Sequence, residues 1–117
     1  MQYLLLIYGA EKLWDGYTEP EKQAIYKGYK DLIGELKGSG KYLGGHELQP
    51  IAMATTVRVR NGKKSITDGP FAETKEQLGG YFLVEAKDLD EALAMAERIP
   101  SATSGCIEVR PVKLNGE

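Results

Sequence analysis

One cysteine, one histidine and one tryptophan are all that this chain offers of three residue types that often carry chemistry or anchor interfaces. With Cys106 alone, an intramolecular disulfide is impossible. A chain that folds without one fits the reducing cytosol, and a cytoplasmic protein is expected. His46 and Cys106 stand alone, with no His-x-x-Glu or Cys-x-x-Cys spacing, so a transition-metal site would need several carboxylates; neither a metal nor a cofactor is expected. A basic excess is missing as well. Fifteen Lys and Arg against seventeen Asp and Glu leave a net charge of −2, which speaks against direct nucleic-acid binding or attachment to an anionic membrane. No apolar run is long enough to span a bilayer, and the Met1–Ile7 run lacks the basic flank of a signal segment. The glycine pairs do not bridge a strand to a helix as a phosphate loop requires.

What remains is an ordinary globular balance, 42% apolar and 27% charged over 117 residues, which predicts one domain across 1–117. Tyr3 to Tyr8 is apolar on both parities and reads as a strand covered on both faces, hence central in its sheet or packed at an interface. Glu11 to Tyr17 reads as a loop. Thr18-Glu19-Pro20-Glu21 has the capping-box pattern, and Ile25, Tyr29, Leu32, Ile33 and Leu36 follow at helical spacing until Gly38 and Gly40 stop the helix. A short edge strand fits Lys41–Leu43, after which Gly44-Gly45 reads as a break. Thr55 to Arg60 alternates, Asn61-Gly62 is the favoured pair for a two-residue type I′ turn, and Lys63 to Thr67 returns. Tyr81 to Ala86 is a further strand. Asp88 caps a second helix lined by Leu89, Ala92, Leu93, Ala96 and Ile99 and ended by Pro100, and Cys106 to about Val112 closes the chain's regular structure.

The order β-α-β-β-β-α-β with two amphipathic helices predicts an α+β fold. It is of the ferredoxin-like βαββαβ type with an extra strand and has helices on one sheet face. A chain this short cannot cover the other face itself. A large exposed apolar sheet predicts a homodimer closing sheet against sheet around a shared cavity, a dimeric α+β barrel.

Asp68 holds the most informative position among the candidate site residues. A two-residue turn at Asn61-Gly62 sets Thr55 opposite Asp68 and Val57 opposite Ile66, so Asp68 points toward the apolar side of the ribbon and away from Arg58. A carboxylate at such a rim suits a general acid or base, while Asp68-Gly69-Pro70 is equally a turn that needs no ligand. His46, read as lying on a loop at a pocket lip, has a side chain suited to proton transfer near neutral pH. Phe71 reads as an anchor in the core, Glu73 as part of a charged turn with Lys75 and Glu76, and Cys106 as a small buried hydrophobe. Glu108 and Arg110 alternate outward from Ile107 and Val109 and are placed to pair across a dimer seam.

The stretch Thr67-Asp68-Gly69-Pro70-Phe71-Ala72-Glu73-Thr74-Lys75-Glu76-Gln77-Leu78-Gly79-Gly80-Tyr81 resembles the signature of the DGPF group of YCII-related proteins. Leu48-Gln49-Pro50, Thr56-Val57-Arg58, Asp88-Leu89-Asp90-Glu91-Ala92 and Gly105 to Pro111 extend the resemblance over nearly the whole chain. It implies a dimeric, ferredoxin-like α+β barrel in a bacterial cytoplasm, without one established function for the group. Members are often encoded beside extracytoplasmic-function sigma factors, which points to sigma-factor association. The YCII branch resembles an enzyme in carrying a helical His near an Asp, but here Tyr26 and Tyr29 occupy the middle of the first helix and that His is absent. The resemblance therefore implies first a small-molecule-binding or regulatory dimer, with ligand contacts from Asp68, Phe71, Glu73 and Tyr81. The alternative is a small enzyme with acid–base chemistry by Asp68 and His46.

Overall fold

A computed structural model describes residues 1–114. Its core is a four-stranded antiparallel sheet in the order β2-β5-β1-β6, built from β1 (Gln2–Gly9), β2 (Tyr42–Glu47), β5 (Gln77–Glu85) and β6 (Cys106–Pro111). β3 (Thr55–Arg60) and β4 (Lys63–Asp68) form a separate two-stranded sheet. With that hairpin set aside, the elements run βαββαβ, consistent with a ferredoxin-like layer. The additional strands thus make a ribbon of their own instead of widening the main sheet.

β1 lies between β5 and β6, central as expected, but within the chain only one of its faces is covered, and Leu4 and Leu6 on the other face are half-buried. Tyr3, Leu5 and Ile7 are buried on one side and pack with Phe82, Val84, Ile107 and Val109 from the neighbouring strands. Two helices close that side. α2 (Glu19–Gly38) begins with the capping box, the Glu21 N–H donating to the Thr18 hydroxyl while the Thr18 N–H donates to the Glu21 carboxylate at 2.9 Å. It buries Leu32 and Leu36. α3 (Leu89–Ala96) is capped by Asp88, whose carboxylate accepts from the Glu91 N–H at 2.9 Å. Its buried stripe is Ala92, Met95 and Ala96, whereas Leu89 and Leu93, read as lining residues, are exposed. The small alanines let the helix approach the sheet closely, and the two leucines lie off that contact line.

Two segments differ from expectation. Glu11–Asp15 forms a short helix, α1, held at its first residue: the Glu11 N–H donates to Gln77 Oε1 at 2.9 Å, and the Glu11 carboxylate accepts from the Ile51 N–H at 3.0 Å. Gly44-Gly45 does not break β2 but lies inside it. A Cβ on Gly45 would stand 2.6 Å from the Tyr81 carbonyl oxygen, and one on Gly80 would stand 2.8 Å from that of His46. Glycine here permits close approach of β2 and β5, a use of strand glycine that the sequence pattern alone cannot separate from a loop.

The hairpin register agrees with the turn reading at every pair from Thr55↔Asp68 to Arg60↔Lys63. Asn61 (φ 52°) and Gly62 (φ 75°) both occupy the left-handed region, as a type I′ turn demands. Gly62→Val should destabilise the ribbon by about 1 kcal/mol or more, because a β-branched residue is strained at positive φ. Amide exchange within β3 and β4 should quicken roughly fivefold. Unchanged exchange would contradict this account of the turn.

Candidate functional site on the open sheet face

Cross-strand partners in an antiparallel sheet share a face, so the register identifies what lies opposite the helices. Leu4 pairs with Leu83 and Arg110, Leu6 with Tyr81 and Glu108, Tyr8 with Cys106, and His46 with Tyr81. One row therefore crosses all four strands: His46, Tyr81, Leu6, Glu108. Leu4, Leu6 and Leu83 are half-buried and form an apolar floor, with polar groups on either flank.

On the β2–β5 flank, His46 Nδ1 lies 3.0 Å from the Tyr81 hydroxyl. His46 is thus a strand residue and not a loop residue, and its partner is one of the expected ligand contacts. The pair joins a phenol to an imidazole across one hydrogen bond, an arrangement able to pass a proton or to offer a ligand both a donor and an acceptor.

On the β1–β6 flank, the Tyr8 hydroxyl donates to Glu108 Oε1 at 3.3 Å, and Arg110 Nη2 donates to Glu108 Oε2 at 2.5 Å. The seam pair expected between copies is therefore satisfied within one chain. Arg110 holds the Glu108 carboxyl below the usual range, whereas desolvation and then the Glu108 charge push the Tyr8 phenol above its own. Tyr8 is accordingly a proton donor and not a phenolate. Tyr8 and Glu108 border a shallow depression of about 660 Å³ with Thr74, Lys75, Glu76 and Cys106. Cys106 is exposed, not buried, and its thiol donates to Glu76 Oε1 at 3.5 Å. Desolvation and the Glu76 carboxylate raise its pKa, the opposite of what a nucleophilic cysteine requires.

The remaining expected residues lie elsewhere. Asp68 ends β4 and is exposed, and among the described residues its carboxylate has no hydrogen-bond partner. The Asp68-Gly69-Pro70 turn is held instead through Gly69 (φ 95°). Its N–H donates to the Ala54 carbonyl at 2.8 Å, and its own carbonyl accepts from the Thr56 hydroxyl at 2.8 Å. Phe71 is 80% exposed and anchors no core, because the segment after Pro70 runs off the ribbon without meeting the sheet's buried side. Glu73 is exposed on the same segment. Among the described residues, no hydrogen bond or ion pair joins Asp68 to His46, Tyr81 or Arg58. The Tyr8–Glu108–Arg110 chain was not singled out as a site. Its signal was the outward alternation of β6, which becomes informative only once Tyr8 is known to pair with Cys106.

An α+β fold with helices on one sheet face and a mixed polar and apolar surface on the other is the class this architecture defines. The chain belongs to the YCII-related family, whose domain description matches residues 1–114. It is 34% identical over 116 residues to an uncharacterized protein of Rhizobium meliloti, covering 97% of this chain and 94% of that one. Among solved structures, 5-chloro-2-hydroxyhydroquinone dehydrochlorinase from Burkholderia phenoliruptrix AC1100, in complex with 2,5-dihydroxybenzoquinone, aligns over 97% of this chain and 94% of that chain. Its TM-score is 0.48 at 17% identity. No helix among the described residues is long and apolar enough to cross a membrane.

Proposed function

We propose that the protein is a homodimer of the DGPF branch that closes two open sheet faces around a small-molecule site and works as a binding or regulatory module. The supporting observation is the row His46, Tyr81, Leu6 and Glu108, which sets polar groups at both flanks of an apolar floor. Pockets that bind small molecules share this plan of apolar walls with a few placed polar groups. The ligand class that suits it is a small, mainly apolar molecule carrying a hydroxyl or carbonyl group for the His46–Tyr81 pair. Asp68, Phe71 and Glu73, exposed on and just beyond the hairpin, are residues that one copy would present to the other. Sigma-factor association has no residue in this site that carries it.

Sedimentation at micromolar concentration should show a species of twice the 12.9 kDa chain mass, with an interface of at least roughly 2,000 Å² in total. Mass spectrometry of the denatured sample should release a small molecule. A monomer at that concentration would overturn the reading. The His46–Tyr81 hydrogen bond favours a second reading, an acid–base enzyme at the same site. In that case Tyr81→Phe would abolish turnover of the released compound while leaving its binding within about tenfold, whereas a pure binding module shows no turnover to lose.

A further inference from the structure

Residues 74–76 form one wall of the Tyr8–Cys106–Glu108 depression. They belong to no helix or strand, so something outside their own backbone must hold them in place. One side chain does so with two hydrogen bonds. The Gln77 amide accepts from the Glu11 N–H through Oε1 at 2.9 Å and donates through Nε2 to the Thr74 carbonyl at 2.7 Å. Its partners are one donor and one acceptor, so both ends of the amide are used. Glu11 is itself fixed, because its carboxylate accepts from the Ile51 N–H at 3.0 Å. From Thr74 the hold passes on, its hydroxyl donating to the Glu76 carbonyl.

A β-bulge aims Gln77 at this task. Ile7 pairs with Gly80 but Tyr8 pairs with Leu78, which leaves Gly79 as an extra residue in β5. The Gly79 carbonyl is still satisfied, accepting from the Leu48 N–H at 2.8 Å. One extra residue reverses the alternation of side chains along the strand. Leu78 therefore joins Tyr8 on the open face, and Gln77, opposite Gly9, turns to the other face, where α1 starts. Without the bulge Gln77 would point to the open face, away from the Glu11 N–H.

We infer that Gln77 is a positioning residue of the site: it clips residues 74–76 to the start of α1 and so sets the Glu76 carboxylate on the Cys106 thiol. The depression then holds two donors, each backed by a carboxylate: Tyr8 on Glu108 at 3.3 Å and Cys106 on Glu76 at 3.5 Å. Tyr8 and Cys106 are cross-strand partners, so the two pairs stand side by side. Cys106 is exposed, and a thiolate there would be open to alkylation and oxidation. Desolvation, then the Glu76 hydrogen bond and charge, then the Glu108 charge raise its pKa against that. Lys75 and Tyr8 are the other titratable groups that border the depression. Every bond in this clip lies within one chain, so the inference concerns the wall of the proposed site and holds with or without the dimer.

The test follows alkylation of the chain's single thiol by iodoacetamide at neutral pH, with circular dichroism to confirm folding. Gln77→Met, which removes both bonds, should raise the rate at least about threefold, because the rate follows the thiolate fraction. The Cys106 titration midpoint, read from its Cβ resonance, should fall toward the ordinary thiol value. Glu76→Gln should do the same with the clip intact. The double variant should react no faster than Glu76→Gln alone, since one effect runs through the other. Gln77→Glu keeps an oxygen for the Glu11 N–H and loses only the Thr74 bond. It should also quicken the reaction, although an added negative charge by itself slows it. Unchanged rates in folded Gln77 variants, a slower Gln77→Glu, or effects that multiply in the double variant overturn the clip and leave the dimer standing. A wild-type monomer overturns the dimer and leaves the clip standing.

Discussion

Gly105→Ala should cost about 3 kcal/mol of stability and lower the melting temperature by roughly 10 °C, as followed by circular dichroism. A Cβ at this position would lie 1.9 Å from the Tyr8 carbonyl oxygen, 2.9 Å from its carbon and 3.0 Å from Gly9 Cα. All three are backbone atoms of the central strand, so no side chain can rotate away to make room. Relief requires β1 and β6 to part where Tyr8 pairs with Cys106, and Tyr8 is also bonded to Glu108. The substitution therefore loosens the β1–β6 flank of the site as well as the sheet. Gly34→Ala is the contrast: the space around Gly34 in α2 is open, and the change should stabilise by up to about 1 kcal/mol through helix propensity. A Gly105→Ala melt within about 2 °C of wild type would show that the strands part readily there.

The parts of the fold that could be read in advance are those governed by local chemistry. The capping box at Thr18, the Asp88 cap and the positive-φ turn at Asn61-Gly62 each involve residues within four positions of one another, and the observed hydrogen bonds and register agree with them. The centrality of β1 was legible in its continuous apolar run, although within the chain only the face of Tyr3, Leu5 and Ile7 is covered. What was not legible depends on distant partners. Gly45 belongs to a strand because the Tyr81 backbone passes 2.6 Å from where its Cβ would be, a fact encoded some 35 residues away. Phe71 reads as core by composition alone, yet it follows a turn that carries it away from the sheet's buried side. The site was divided in the same way. Asp68 drew attention because its register is local to the hairpin, while the His46–Tyr81 contact depends on pairing β2 with β5. Tyr8 reaches Glu108 only once β1 and β6 are aligned.

Leu83→Lys should raise the dimer dissociation constant by roughly 10²–10⁴-fold while leaving the fold of each chain intact. Leu83 is the midpoint of the open face, between Leu4 on β1 and Gly44 on β2, and it is only half-buried in the single chain. With no side chain on Gly44, a lysine there has room to carry its ammonium to water, so the monomer bears little cost. In a sheet-to-sheet dimer the same ammonium would be trapped in the seam. Its symmetry mate would be close by and no carboxylate lies directly across the strand, since Leu83 pairs with Leu4 and Gly44. An unpaired charge in such a place costs about 3–5 kcal/mol, which sets the expected change in affinity. Sedimentation over a dilution series, beside a melting curve on the dilute sample, separates loss of association from loss of fold. A Leu83→Lys protein that associates as tightly as wild type would mean that the open face stays in solvent. The His46–Tyr81 pair would then lie on an outer surface and not in a shared cavity.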